Sequence, residues 1–84
     1  MKVLFLPDAF EQYVHWQERD RAMLGKLNRL IRECRRHPFE GTGKPEPLRG
    51  DYSGFWSRRI DREHRLVYRV EGETLVILQC RYHY

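Results

Sequence analysis

The sequence predicts an α+β fold, with two N-terminal helices packed on one face of a mostly antiparallel, about five-stranded sheet. Three observations predict it. Apolar residues recur at three-and-four spacing only between Pro7 and His37. Short runs of β-branched, aromatic and aliphatic residues stand before that segment and again after residue 50. Gly, Pro and Asp clusters separate those later runs. At 84 residues the chain is read as one domain, 1–84, with one modest core.

Lys2-Val3-Leu4-Phe5-Leu6 is short and apolar, as a buried strand would be. Pro7 ends it and opens a helix, with Asp8 favourable near the positive end of the dipole. Phe10, Tyr13, Val14 and Gln17 are expected on the core face of that helix, with Trp16 at its edge. Asp20 is the expected N-cap of a second helix. Its apolar stripe is Met23, Leu24, Leu27, Leu30, Ile31 and Cys34; Arg21, Lys26, Arg29, Arg32, Glu33 and Arg36 form a solvated face. The joint near Arg19 is so short that the two helices should form an antiparallel hairpin. His37-Pro38 ends the second helix.

Phe39 to Pro47 is a shaped loop rather than a linker, because two glycines and two prolines punctuate it. It is no Walker loop, since Gly43-Lys44 is followed by Pro45. Pro45 and Pro47 bracket Glu46 and should hold it extended, which lowers the entropic cost of positioning a carboxylate. A turn at Gly50-Asp51 leads to Tyr52 and then to an antiparallel hairpin, Phe55 to Tyr68, whose polar turn is Asp61 to His64. Glu71-Gly72-Glu73 makes a second tight turn, and Thr74 to Cys80 is the most apolar run, expected as a central strand buried on both faces.

Composition narrows the function classes. No apolar run is long enough to span a bilayer, and no segment resembles a secretory leader, so no membrane role is expected. The two cysteines, Cys34 and Cys80, lie in unrelated contexts; reduced thiols and a cytoplasmic location are expected. Neither CxxC nor HExxH occurs, so no metal and no cofactor is expected. Net charge is +4, which alone is too mild to imply nucleic-acid binding. The choice of cation is more telling, because 13 of the 16 basic residues are Arg, the side chain suited to bidentate grip on phosphate or carboxylate.

The central hairpin concentrates this signal. Arg58, Arg59, Arg62 and Arg65 stand among residues that favour half-burial. An arginine on a sheet face costs desolvation unless an anion meets it, either a carboxylate of the chain or an outside group. Interleaved Tyr52, Phe55, Trp56 and Tyr68 suit base stacking beside backbone grip, so an RNA phosphate is the reading adopted. Ordinary cross-strand packing with snorkelling arginines is the competing explanation. The geometry has one open point. If Ile60 pairs with Arg65 across a four-residue turn, Arg59 and Arg65 face opposite sides of the sheet; a five-residue connection or a bulge puts them together.

Cleavage of RNA by its own 2′-hydroxyl needs a base, donors for the charged phosphate and an acid for the leaving 5′-oxygen. The chain offers Glu46 as base, Arg65 with Arg59 as donors, and His83 as acid. A histidine can donate a proton near neutral pH. Taken singly, Glu46 in a structural ion pair and His83 in a frayed tail are the plainer explanations. His64 is the reserve candidate, while His15 and His37 are read as structural or surface.

Several blocks carry a resemblance. Pro38 to Gly41, Gly43 to Leu48, Ser53 to Ile60, Glu63 to Tyr68 and the ending Cys80-Arg81-Tyr82-His83-Tyr84 resemble the Txe/YoeB family, within the RelE-like superfamily. Tyr13 and Trp16-Gln17-Glu18 also fit, so the likeness runs from end to end. It implies the toxin of a type II toxin–antitoxin pair that cuts mRNA in the A site of the 70S ribosome and stops translation. It also implies a homodimer, and an antitoxin of the YefM type whose C-terminal segment wraps the toxin. The family's active-site residues fall on Glu46, Arg59, Arg65, His83 and Tyr84, with Tyr84 stacking on or orienting a base. Arg49 stands where the near relative has lysine, and either cation can meet phosphate. Two alternatives remain: a toxin of the same fold acting on DNA gyrase, which needs no Glu46/His83 pair, and a non-catalytic ribosome- or RNA-binding module, in which a stiffened Glu46 beside phosphate is unhelpful.

Overall fold

In the computed structural model, which describes residues 1–83, two helices lie against a five-stranded sheet. The elements in order are β1 (Lys2–Phe5), α1 (Pro7–Arg19), α2 (Arg21–Arg36), β2 (Glu46–Pro47), β3 (Trp56–Arg59), β4 (Arg65–Glu71) and β5 (Thr74–Gln79). A short 3-10 turn, Gly50–Tyr52, stands where the Gly50-Asp51 turn was expected. The sheet order is β1-β5-β4-β3-β2. All pairs are antiparallel except β1 with β5, which are parallel edge and interior strands far apart in the chain. The predicted α+β class and layer arrangement are therefore observed. β5 is interior, with Leu75, Val76 and Ile77 all buried, but the middle place belongs to β4.

Local sequence explains the helices. Pro7 starts α1, where its missing N–H is no loss. The joint is a single residue, Asp20, whose carboxylate accepts the Met23 N–H at 3.1 Å and so caps α2. Tyr13 Oη donates to Asn28 Oδ1 at 2.8 Å, tying the two helices across the hairpin. The stripe of α2 is buried as expected, through Met23, Leu27, Leu30, Ile31 and Cys34.

The core face of α1 differs from the expectation. Ala9 and Trp16 are its buried residues, whereas Phe10 is 52% exposed and Gln17 is exposed. The cause is Trp16. Its large ring takes the centre of the face, and its Nε1–H donates to the Cys80 carbonyl at 2.8 Å, a bond that fixes the rotation of the helix. With 16 inward, 9 and 13 follow at helical spacing and 10 turns outward.

Arg58 also departs from the reading of the hairpin. It is fully buried and its partners are internal: Glu33 at 2.5 Å, Tyr68 Oη at 3.1 Å, and the carbonyls of His37, Glu40 and Thr42. The phosphate reading fails for this residue, and Glu33, placed by its helical position among solvated residues, is the internal counter-ion. Arg62 lies exposed on the turn. Both cysteines are free and buried, and burial pushes the Cys34 thiol up to about 11 and the Cys80 thiol up to about 12.

Candidate active site

Sheet register decides which side chains share a face. Residues paired directly across antiparallel strands point the same way. Glu46 pairs with Ser57, Ser57 with Val67, and Val67 with Gln79, which makes one row across β2, β3, β4 and β5. Arg59 pairs with Arg65, two residues along the same strands, and so lies on that face as well. The opposite face carries Trp56, Arg58, Leu66 and Tyr68; the last three are fully buried there. Adjacent arginines 58 and 59 thus part to the two sides of β3.

The hairpin connection resolves the open point of register. Five residues, Ile60 to His64, link β3 and β4, so Arg59 opposes Arg65 directly. The Ile60 and Asp61 N–H groups donate to the His64 carbonyl at 2.9 and 3.4 Å. Asp61 Oδ1 accepts from the Glu63 and His64 N–H groups at 2.9 and 2.7 Å. Burial acts to raise the Asp61 carboxyl, but these two N–H bonds, with nearby charges including Lys26, hold the carboxyl below its ordinary value. Arg65 fastens the turn from inside: its Nη1 donates to the carbonyls of Asp61 and His64 at 3.0 and 3.2 Å. Its side chain is thereby held nearly buried, at 9% exposure, while Arg59 is exposed.

Glu46 arrives on the same face by another route. It forms β2 with Pro47, the extended geometry that the two prolines favour, and it is exposed on the outermost strand. The loop before it is docked tightly. Gly43 accepts the Arg59 N–H at 2.7 Å and has φ +86°, and a Cβ there would stand 2.8 Å from the Arg59 carbonyl. Arg58 holds the loop's earlier carbonyls, as above. Arg49 follows β2 and is exposed just before the 3-10 turn.

The C-terminal segment is held in place as far as Tyr82. The Tyr82 carbonyl accepts the Arg65 N–H and the Gln79 amide, both at 3.0 Å. The Tyr82 N–H donates to His64 Nδ1 at 2.7 Å. His83, exposed, therefore comes one residue after a carbonyl anchored on the backbone of Arg65. The structure brings Glu46, Arg59 and Arg65 to one face and His83 to the strand end that carries Arg65. Tyr84 lies outside the described residues. No pattern in the sequence marks His64 as the group that binds the tail; a turn histidine gives that signal only once the tail is folded beside it. Among the described residues no cluster of His, Cys, Asp and Glu could hold a metal ion, and no helix is long and apolar enough to cross a membrane.

Comparison with known proteins places the chain by sequence and by fold. Residues 5–84 match the family described as YoeB-like toxin of bacterial type II toxin–antitoxin system. Toxin YoeB of Streptomyces coelicolor is 56% identical over 84 residues, the whole of both chains. A solved YoeB/ParE toxin from Agrobacterium tumefaciens superposes with a TM-score of 0.97 at 51% identity, again over both whole chains. YoeB of Staphylococcus aureus has been solved in a heterotetrameric complex with YefM and as a dimer; in the complex its TM-score is 0.92 at 44% identity, covering all of this chain and 98% of that one. By sequence along its whole length and by fold, this chain belongs to the YoeB-like toxins of bacterial type II toxin–antitoxin systems.

Proposed function

We propose that this toxin is a ribosome-dependent mRNA endoribonuclease, acting in the cytoplasm on message in the A site of the 70S ribosome. The observation that carries the reading is the register of the central hairpin, which sets Arg59 opposite Arg65 on the face that also bears Glu46. A row of one carboxylate and two guanidiniums, with Glu46 and Arg59 exposed and Arg65 nearly buried beside them, suits a phosphodiester better than a small neutral ligand.

Glu46 takes the proton of the 2′-hydroxyl, and the 2′-oxygen forms a bond to phosphorus. Charge grows on the non-bridging oxygens, where Arg59 and Arg65 donate hydrogen bonds. The bond from phosphorus to the 5′-oxygen breaks, and His83 gives that oxygen its proton. The products are a 2′,3′-cyclic phosphate and a free 5′-hydroxyl. Arg49 meets a neighbouring phosphate, and Tyr84 stacks on a base. No cofactor takes part. A YefM-like antitoxin and a second copy of this chain are the expected protein partners, by likeness to the Staphylococcus aureus protein solved with YefM and as a dimer. An acidic segment laid over the Arg-rich face would block access to phosphate.

The experiment is cleavage of ribosome-bound message mapped by primer extension, with translated and untranslated copies of one message compared. Cuts should appear in the translated copy and depend on His83, with His83→Ala slower by about 10²–10⁴-fold. Equal cutting of both copies would remove the ribosome from the mechanism, and full activity of His83→Ala would remove the acid.

A further inference from the structure

We infer that His64 is a positioning residue for the reaction: its neutral imidazole anchors the C-terminal tail and so sets the place of His83. The inference rests on the nuclease reading of this chain, and it starts from the backbone of Tyr82. Tyr82 has φ +68°, a left-handed conformation that a non-glycine residue keeps only when its surroundings hold it. Both of its peptide groups are held. On the carbonyl side are the Arg65 N–H and the Gln79 amide, and on the N–H side is His64 Nδ1 at 2.7 Å. His83 is the next residue, so two anchors on Tyr82 fix where the chain carrying the acid begins.

The ring of His64 is itself held. It meets Trp16 edge-on, with centroids 4.8 Å apart, and Trp16 in turn donates to the Cys80 carbonyl two residues before Tyr82. Its side chain is only 13% exposed. Because the Tyr82 N–H donates, Nδ1 must carry a lone pair, so the ring is neutral with its proton on Nε2. Nε2 faces the Glu63 carboxylate at 3.6 Å. His64 thus serves the tail as a hydrogen-bond acceptor at Nδ1, a different role from the proton donor that the nuclease reading assigns to His83.

The test compares wild type, His64→Phe and His64→Asn in single-turnover cleavage of ribosome-bound message, with ribosome affinity and thermal unfolding measured alongside. His64→Phe keeps a ring against Trp16 and loses the acceptor. It should cut about 10²-fold more slowly, the scale of a 1 Å misplacement of a reacting group, with affinity little changed. His64→Asn puts Oδ1 where Nδ1 stood and should recover most of the rate. Ring-nitrogen spectra of the wild-type chain should show the Nε2–H form of His64. Wild-type rate in His64→Phe, no recovery in His64→Asn, or an Nδ1–H ring would each overturn the inference. If the wild type cuts nothing, the nuclease reading fails, and the spectra still decide the anchor. They decide it likewise if His64→Phe does not fold.

Discussion

Arg58 and Arg59 are neighbours in the chain and serve opposite ends, because successive side chains of a strand point to opposite faces. Arg58 points inward and is tolerated there only because Glu33, Tyr68 and three carbonyls satisfy it. The Glu33 carboxyl is held below its ordinary value, first by the Thr42 N–H and then by Thr42 Oγ1 and Arg58, against a burial effect that raises it. A carboxyl lowered in the folded state adds stability above its unfolded value, and that stability is lost as pH falls through the folded value. Glu33→Gln should therefore unfold more easily than wild type at neutral pH, and the gap should close as pH drops below the ordinary carboxylate range; denaturant titrations across that range measure it. Glu33→Ala leaves Arg58 buried without its counter-ion. It should cost about 3 kcal/mol, the low end for a broken buried pair, because the carbonyls still hold the guanidinium. A loss under about 0.5 kcal/mol would show that those carbonyls suffice.

The five-residue connection and the docked loop decide the site at the scale of elements. Removing one residue between Ile60 and His64 would force a four-residue turn and move Arg59 off the face of Arg65. Deletion of Arg62, exposed on that turn, should abolish cleavage while leaving the helical circular dichroism signal. Activity at the wild-type level in that variant would mean that the two arginines need not share a face. Gly43→Ala probes the loop. It combines a left-handed backbone with a Cβ 2.8 Å from the Arg59 carbonyl, and it should cost at least about 1–2 kcal/mol and loosen the segment that leads to Glu46. Thermal unfolding reads the first effect, and amide exchange of the Arg59 N–H reads the second.

Across the whole molecule, the helices pack on the side of the sheet that carries Leu66 and Tyr68, and Arg59 and Arg65 lie on the other. An excess of cations, +4 in net charge, favours association with a polyanion at low salt. Ribosome affinity should fall as salt rises, and Arg59→Ala should lower the slope of log K against log salt by about one. An unchanged slope would remove Arg59 from the phosphate contacts. The fold is also closed by Trp16, which joins α1 to the C-terminal segment through the Cys80 carbonyl. Trp16→Phe removes that bond while keeping a ring, and should cost about 1 kcal/mol in unfolding titrations.

The sequence by itself determined the element order, the cap at Asp20, the stripe of α2 and the extended Glu46 between prolines, because these rest on local spacing and side-chain chemistry. It could not tell Arg58 from Arg59, nor orient α1. Tertiary structure alone decided that Glu33 answers Arg58, that Trp16 turns Phe10 outward, that Arg59 opposes Arg65 and that His64 grips Tyr82. Glu33 with Arg58, Trp16 with Cys80 and His64 with Tyr82 join residues distant along the chain, and Arg59 with Arg65 depends on the length of one turn. Such pairs are chosen by register and packing, which depend on the whole set of contacts and not on any one stretch of residues.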